Sequence, residues 1–219
     1  MIITYHGHSC FKMKGKHGSI VADPYNKSVG FSLPKLSADI VTVSHDHGDH
    51  SNYGAIGGTS RREKPFIVDQ PGEYEVGGNS VFGVPAFHDG QKGSSRGNNI
   101  IFSYIVDGIR VCHVGDLGHE LDSTTIKQIG MIDVLFICVG GVYTIGPKEA
   151  INVAHSLEPN IVIPMHYRTE AHDKQTFDQV KSLNDFLQVF GSDVKPIDKL
   201  VLNAGRLPDE MELIVLEQV

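Results

Sequence analysis

The residues best equipped for chemistry crowd into six consecutive positions: His45, His47, Asp49 and His50 in the stretch "SHDHGDHSN". Imidazole nitrogens and carboxylate oxygens are the donors zinc favours, and manganese and iron accept them as well. In an extended segment, side chains two apart point the same way, so His45 and His47 can hold one ion together. Gly48 permits a sharp turn, after which Asp49 and His50 can face a second ion. Further along, His88 follows "VFGVPAF", Asp116 follows "IRVCHVG" and His166 follows "NIVIPM". Five histidines and two aspartates exceed what one four-coordinate ion takes. They suffice for two ions bridged by a carboxylate, a pair that activates a shared water as nucleophile. Ser44 and Ser51 flank the motif, but no GxSxG elbow or separate base accompanies them, so a serine nucleophile is not indicated.

The elements that must position these groups are short and apolar. Runs such as "IVTVS", "SVFGVPAF", "IRVCHVG" and "NIVIPM" each end in a His or Asp, so corresponding strand ends brought to one rim would assemble the ligands on rigid supports. Helical signals come later. "DSTTIKQIG" (122–130) predicts a short helix capped by Asp122 or Ser123 and ended by Gly130. "GPKEAINVAHSLEP" places Pro147 at a first helical position. "DKQTFDQVKSLNDFLQVFG" (173–191) predicts one helix with Phe177, Val180, Leu183 and Leu187 on its buried stripe. A weak internal echo also shows: two hairpin-like segments end on Asp23 and Asp116, and each precedes an apolar strand ending in His, at His45 and His166. His17, His155 and His172 read as polar strand ends, and His113 as packed within its strand.

Composition bounds the rest. With 40% apolar and 21% charged residues over 219 positions, the chain reads as one globular domain spanning 1–219. A formal charge of −7 supplies no global field for nucleic acid. Three scattered cysteines without a CxxC pair suit a reducing compartment, and "MIITYHGHSC" is no signal peptide, so a cytoplasmic location is expected. No run approaches the ~20 apolar residues that span a bilayer.

The HxHxDH pattern of "SHDHGDHSN", with "YHGHSCFKM", "VADPY", "AFHDG", "RGNNIIF", "CHVGDLGHE", "GGVYTIGPKEA" and "VIPMHYRT", resembles the metallo-β-lactamase superfamily. The resemblance is to its branch of small single-domain bacterial hydrolases, related to ascorbate-6-phosphate lactonases and N-acylphosphatidylethanolamine phospholipase D. It implies an α+β fold, a four-layer αββα sandwich of two mixed β-sheets with the site at their shared rim. By position it assigns His45, His47 and His88 to a first metal and Asp49, His50 and His166 to a second, with Asp116 bridging. Asp23 would orient ligands from behind, and Asp49 would orient or deprotonate the attacking water. The implied cofactors are two divalent ions, Zn²⁺ first, with Mn²⁺ or Fe²⁺ as alternatives. The implied reaction is hydrolysis of an ester, lactone or phosphodiester in a small anionic substrate.

Candidate substrate contacts are His8 (or else a packed polar residue of the first strand pair), Arg96 (or else a mobile surface arginine), Tyr143 and Thr144. A nuclease on the same fold would need an added domain and a basic channel, which length and acidity oppose. Di-iron redox relatives place Glu where this chain has His47. A metal-binding regulatory protein without turnover stays open, as does a homo-oligomer.

Overall fold

The computed structural model describes all residues, 1–219. In chain order the elements are β1 (Ile2–Tyr5), β2 (Phe11–Lys14), β3 (Ser19–Ala22), β4 (Leu36–Ser37), β5 (Ile40–Thr42), β6 (Ile56–Gly57) and β7 (Phe66–Val68). There follow β8 (Gly72–Val76), β9 (Asn79–Phe87), β10 (Asn98–Val106), β11 (Ile109–His113), α1 (Ser123–Ile129), β12 (Val134–Cys138), α2 (Pro147–Leu157) and β13 (Ile161–Met165). The chain closes with α3 (Lys174–Phe177), α4 (Leu183–Phe190), β14 (Leu200–Val201) and β15 (Glu212–Leu213). One sheet runs β14-β1-β2-β3-β5-β7, the other β15-β13-β12-β11-β10-β9-β8, with β4 and β6 as a small separate pair. Both large sheets are mixed, and the fold is the expected α+β sandwich.

Central parallel strands covered on both faces must be apolar throughout rather than alternating. β3, β5, β12 and β13 meet that demand, being buried along their whole length. Ile20, Ala22 and Ile40 face the large cluster between the sheets, whereas Val21 and Val41 join a smaller one on the outer face. Phe11 of β2 stacks on Phe136 of β12 with ring centres 4.0 Å apart, and Thr42 of β5 bonds the Tyr104 hydroxyl of β10 at 2.7 Å. These contacts tie sheet to sheet directly beneath the site.

The two outer layers differ. Over the second sheet, α2 packs on β12 and against α4. Over the first, the cover is thinner: Tyr25, Val29, Ala38, Ile56, Phe177 and Val180, drawn from loops, one 3-10 turn, β6 and α3.

The helices bounded by Asp122 and Gly130 and begun by Pro147 form as expected, Asp122 accepting the Thr125 N–H at 2.7 Å. The single helix expected over 173–191 is instead two, α3 and α4. Between them Lys181 donates its N–H to Gly140 O (2.8 Å) and accepts from Arg168 N–H (2.9 Å), which pulls the chain flat against the rim and buries Val180. Ser182 then restarts the helix through a capping box with Asp185.

The internal echo has a structural counterpart, shifted by one strand. β1-β2-β3-β5-β7 and β9-β10-β11-β12-β13 share the pattern antiparallel, antiparallel, parallel, parallel. β5, before His45, thus corresponds to β12, and β7 corresponds to β13. The sequence pairing of His45 with His166 skipped one strand, because β7 ends on Asp69 rather than on a histidine.

Candidate metal centre

Every element that supplies the site does so from its C-terminal end. Asp23 follows β3, Ser44 and His45 follow β5, His88 follows β9, Asp116 lies three residues beyond β11, and His166 follows β13. β3 and β5 run parallel, as do β11, β12 and β13, so their ends open on a common rim. Three residues there hold left-handed backbone that non-glycine residues rarely adopt: Asp23 (φ 44°), His166 (φ 52°) and His8 (φ 55°). The His166 N–H donates to His8 O at 2.8 Å, fixing two of these turns against each other.

The side chains converge as two groups. His45, His47 and His88 form one, and His8, Asp49, His50 and His166 another, with the ligand atoms of each group within 4.8 Å of one another. Asp116 lies between them. Its Oδ2 is 3.4 Å from His88 Nε2, 3.2 Å from His166 Nε2 and 3.9 Å from His45 Nε2, while Oδ1 is 3.3 Å from His50 Nε2. Gly115 permits this approach, because a Cβ there would run into Asn99 and Ser44. Gly48 sits in the turn expected of it, the His50 N–H donating to His47 O at 2.8 Å; its φ is not positive, and a Cβ there would meet the amide of Asn26.

Behind the candidate ligands, Asp23 is fully buried and accepts three hydrogen bonds. Its donors are Ser44 N–H (2.8 Å), the Ser44 hydroxyl, and His50 Nδ1 (2.8 Å). With its proton given to Asp23, Ser44 Oγ accepts from His45 Nδ1 at 2.9 Å. Both imidazoles are thereby fixed with Nε2 as the nitrogen turned to Asp116. Those two Nε2 atoms and Asp116 Oδ1 are buried with no hydrogen-bond partner. Orphaned buried donors and acceptors in one cluster are costly unless something else satisfies them, and a cation does so for imidazole and carboxylate alike. The residues therefore fit a metal.

The protonation states agree at every shifted group of the two sets except His50. Burial pushes the His45 imidazole down to about 3, with His50 adding to the effect, and burial also lowers His88. Neutral imidazoles are the ligating form. Burial would raise the carboxyls of Asp49 and Asp116, but His50 and His8 around the first, and His166 and His50 around the second, hold both well below the usual carboxylate range. His50 goes the other way: burial lowers it, and the carboxylates of Asp116 and Asp49 more than reverse that.

Of the candidate substrate contacts, Arg96 and Tyr143 line a cavity of about 180 Å³ directly over the cluster, together with His47, Asp49, His88 and Asp116. His8 and Thr144 do not. His8 is only 1% exposed, and its Nε2 lies 3.2 Å from Asp49 Oδ2, so it contacts a candidate ligand rather than the cavity. The Thr144 hydroxyl turns away to Ile145 O at 3.0 Å. His172, expected as a polar strand end, is buried: its Nδ1 accepts from Thr169 N–H (3.0 Å) and its ring packs against Phe31 and Phe177. Two contributors went unread in the sequence. Asn99 accepts the Asp116 N–H at 3.0 Å and donates to Val114 O at 2.8 Å, and Phe177 walls the cavity. The paired asparagines of "RGNNIIF" were a signal for the first; nothing local marks the second.

Residues 2–166 match the family described as beta-lactamase superfamily domain. A UPF0173 metal-dependent hydrolase of Methanoculleus marisnigri is 32% identical, the match covering 83% of this chain and 87% of that one. Another of Thermococcus onnurineus is 30% identical over 76% of this chain and 84% of its own. A solved metallo-beta-lactamase superfamily protein from Thermotoga maritima superimposes with a TM-score of 0.79 at 38% identity, covering 98% of this chain and 97% of that one. The chain belongs to the metallo-β-lactamase superfamily, among its metal-dependent hydrolases.

Proposed function

We propose that this hydrolase works with two divalent ions, zinc first and Mn²⁺ or Fe²⁺ as alternatives, and cleaves an ester, lactone or phosphodiester bond in a small anionic substrate. One observation supports the reading: the Asp116 carboxylate lies between two separate sets of imidazoles, with His45 Nε2 of one set, His50 Nε2 of the other and Asp116 Oδ1 itself buried without hydrogen-bond partners. In this reading His45, His47 and His88 hold one ion, Asp49, His50 and His166 the other, and Asp116 is shared. When bound, such ions supply Lewis acidity and an activated water.

The chain's own residues do the rest. Asp23 and Ser44 fix the tautomers of His50 and His45. His8 engages Asp49 Oδ2 and steadies a carboxylate that also lines the cavity, where it can orient the attacking water and accept a proton from it. Phe177 limits water on one side. No helix is long and apolar enough to cross a membrane, and three buried free thiols, Cys10, Cys112 and Cys138, suit the cytoplasm, where we place the protein acting as one domain.

The test is turnover by the zinc-loaded protein of bis(4-nitrophenyl) phosphate, an aliphatic γ-lactone and 4-nitrophenyl acetate, before and after chelation. Hydrolysis of at least one class is expected, lost on chelation and reduced about 100-fold or more in Asp49→Asn. Full metal occupancy without turnover of any class would overturn the proposed bonds and leave a metal-binding role.

A further inference from the structure

The metal cavity does not stand alone. A groove of about 640 Å³ opens beside it, between the β7–β8 turn and the strands β9 and β10. His47 and Arg96 line both spaces, so the two communicate across those side chains.

Arg96 is not a mobile surface arginine. The loop that carries it folds around Asp89, whose carboxylate accepts backbone N–H groups from Gln91 (2.7 Å), Gly93 (3.0 Å), Ser95 (2.9 Å) and Arg96 itself (2.7 Å). The guanidinium then lies 4.8 Å from the ring centre of Tyr143, and Nη2 reaches Val142 O at 3.4 Å. The Tyr143 ring is in turn anchored by its hydroxyl, which donates to Thr176 O at 2.7 Å. The cation is thus held at the junction, stacked on one side, with most of its donors unused and no carboxylate paired to it.

Away from Arg96 and His47, the groove has the opposite character. Its walls carry the carboxylates of Asp46 and Asp69 alongside Tyr53, Phe87 and Pro85. A negatively charged group would be repelled there, whereas an uncharged one finds apolar and aromatic surface. The smaller cavity, at about 180 Å³, takes a compact oxyanion head and about one ring beside it, so a longer tail must extend beyond it.

We propose that Arg96 is the anion receptor of this enzyme, and that its substrate joins a compact oxyanion head to an uncharged, partly apolar tail. The head lies under Arg96 at the cluster, and the tail lies in the adjoining groove. This deepens the hydrolase reading, on which the position of the scissile bond rests; the two-part binding site stands on Arg96 and the groove alone.

Calorimetric titration of the full chain with methylphosphonate, phenylphosphonate and 1-naphthylphosphonate tests it, in zinc-loaded and chelator-treated protein. Affinity should rise about tenfold from the methyl to the naphthyl compound as the tail fills the groove. Asn98→Trp, which places an indole in the groove, should abolish that rise. Arg96→Ala should weaken all three about tenfold and Arg96→Lys less, because a lysine keeps the charge but not the fork. 1-Naphthoate decides whether the head is tetrahedral or planar. Melting curves of the variants, all at side chains outside the buried core, verify that they fold. Equal affinity for all three phosphonates would overturn the groove assignment, and unchanged affinity in Arg96→Ala would overturn the receptor. Failure of zinc to bind would sink the dinuclear reading while the same contrasts are still read in the chelated protein.

Discussion

Asp23 commits both carboxylate oxygens to groups that face the cluster without facing the cavity, namely Ser44 and His50. Replacing it by Ala leaves the Ser44 N–H, the Ser44 hydroxyl and His50 Nδ1 unpaired in the interior. Asp23→Ala should therefore cost at least about 1–3 kcal/mol of stability. It should also weaken metal affinity about 10–100-fold, since the His45 and His50 rings lose their fixed tautomers. Zinc competition with a chromophoric chelator measures this; unchanged affinity in a folded variant would remove Asp23 from the site. At this scale the sequence was most legible in the HxHxDH run, where neighbours in the chain are neighbours in space. The Asp23–Ser44 link was not legible. It depends on β3 and β5 lying parallel with Ala22 beside Thr42, a register no local pattern encodes. The burial of His8 beneath Asp49 and of His172 against Phe31 is likewise a consequence of long-range packing.

Elements with complete local signals formed where expected. α1 and α2 carry a cap, a first-position proline or a terminating glycine, and each boundary follows. The segment 173–191 has a helical apolar period throughout, yet tertiary hydrogen bonds from Lys181 to Gly140 and Arg168 outweigh it. Two short helices result, and Ser182 becomes the cap on which the second depends. Ser182→Ala should lower stability by about 1 kcal/mol through loss of that cap. Since α4 packs on α2 away from the cluster, metal affinity should not change. Thermal unfolding and zinc titration check both halves; a variant as stable as the parent would mean the capping box contributes nothing. The strand-end placement of the candidate ligands was readable because each apolar run stops at its His or Asp. The order of strands, and with it which half-sheet strand matches which, was not, since β7 ends on Asp69 and offers no histidine to align.

Across the whole molecule, burial of so many ionisable groups makes the metal-free protein sensitive to acid. Burial lowers His8 and His45 to about 3, and His172 to about 4. In the unfolded chain each would titrate near ~6.5. Between these limits the unfolded state binds more protons, so stability must fall as pH drops below ~6.5. His50, raised by Asp116 and Asp49, opposes the trend alone. The urea midpoint of chelated protein should accordingly be lower at pH 5 than at pH 7; an equal or higher midpoint would contradict the burial of neutral imidazoles. Metal should make the loss steeper, since protons then compete with the ion as well.

In the proposed site Asp116 joins two metal positions. The metal content of protein purified without chelator, measured by inductively coupled plasma mass spectrometry beside Asp116→Ala, reads this out. Close to two divalent ions per chain are expected in the parent, with a loss of at least one in the variant. No bound metal in the parent even after reconstitution, or two ions retained in a folded Asp116→Ala, would contradict it.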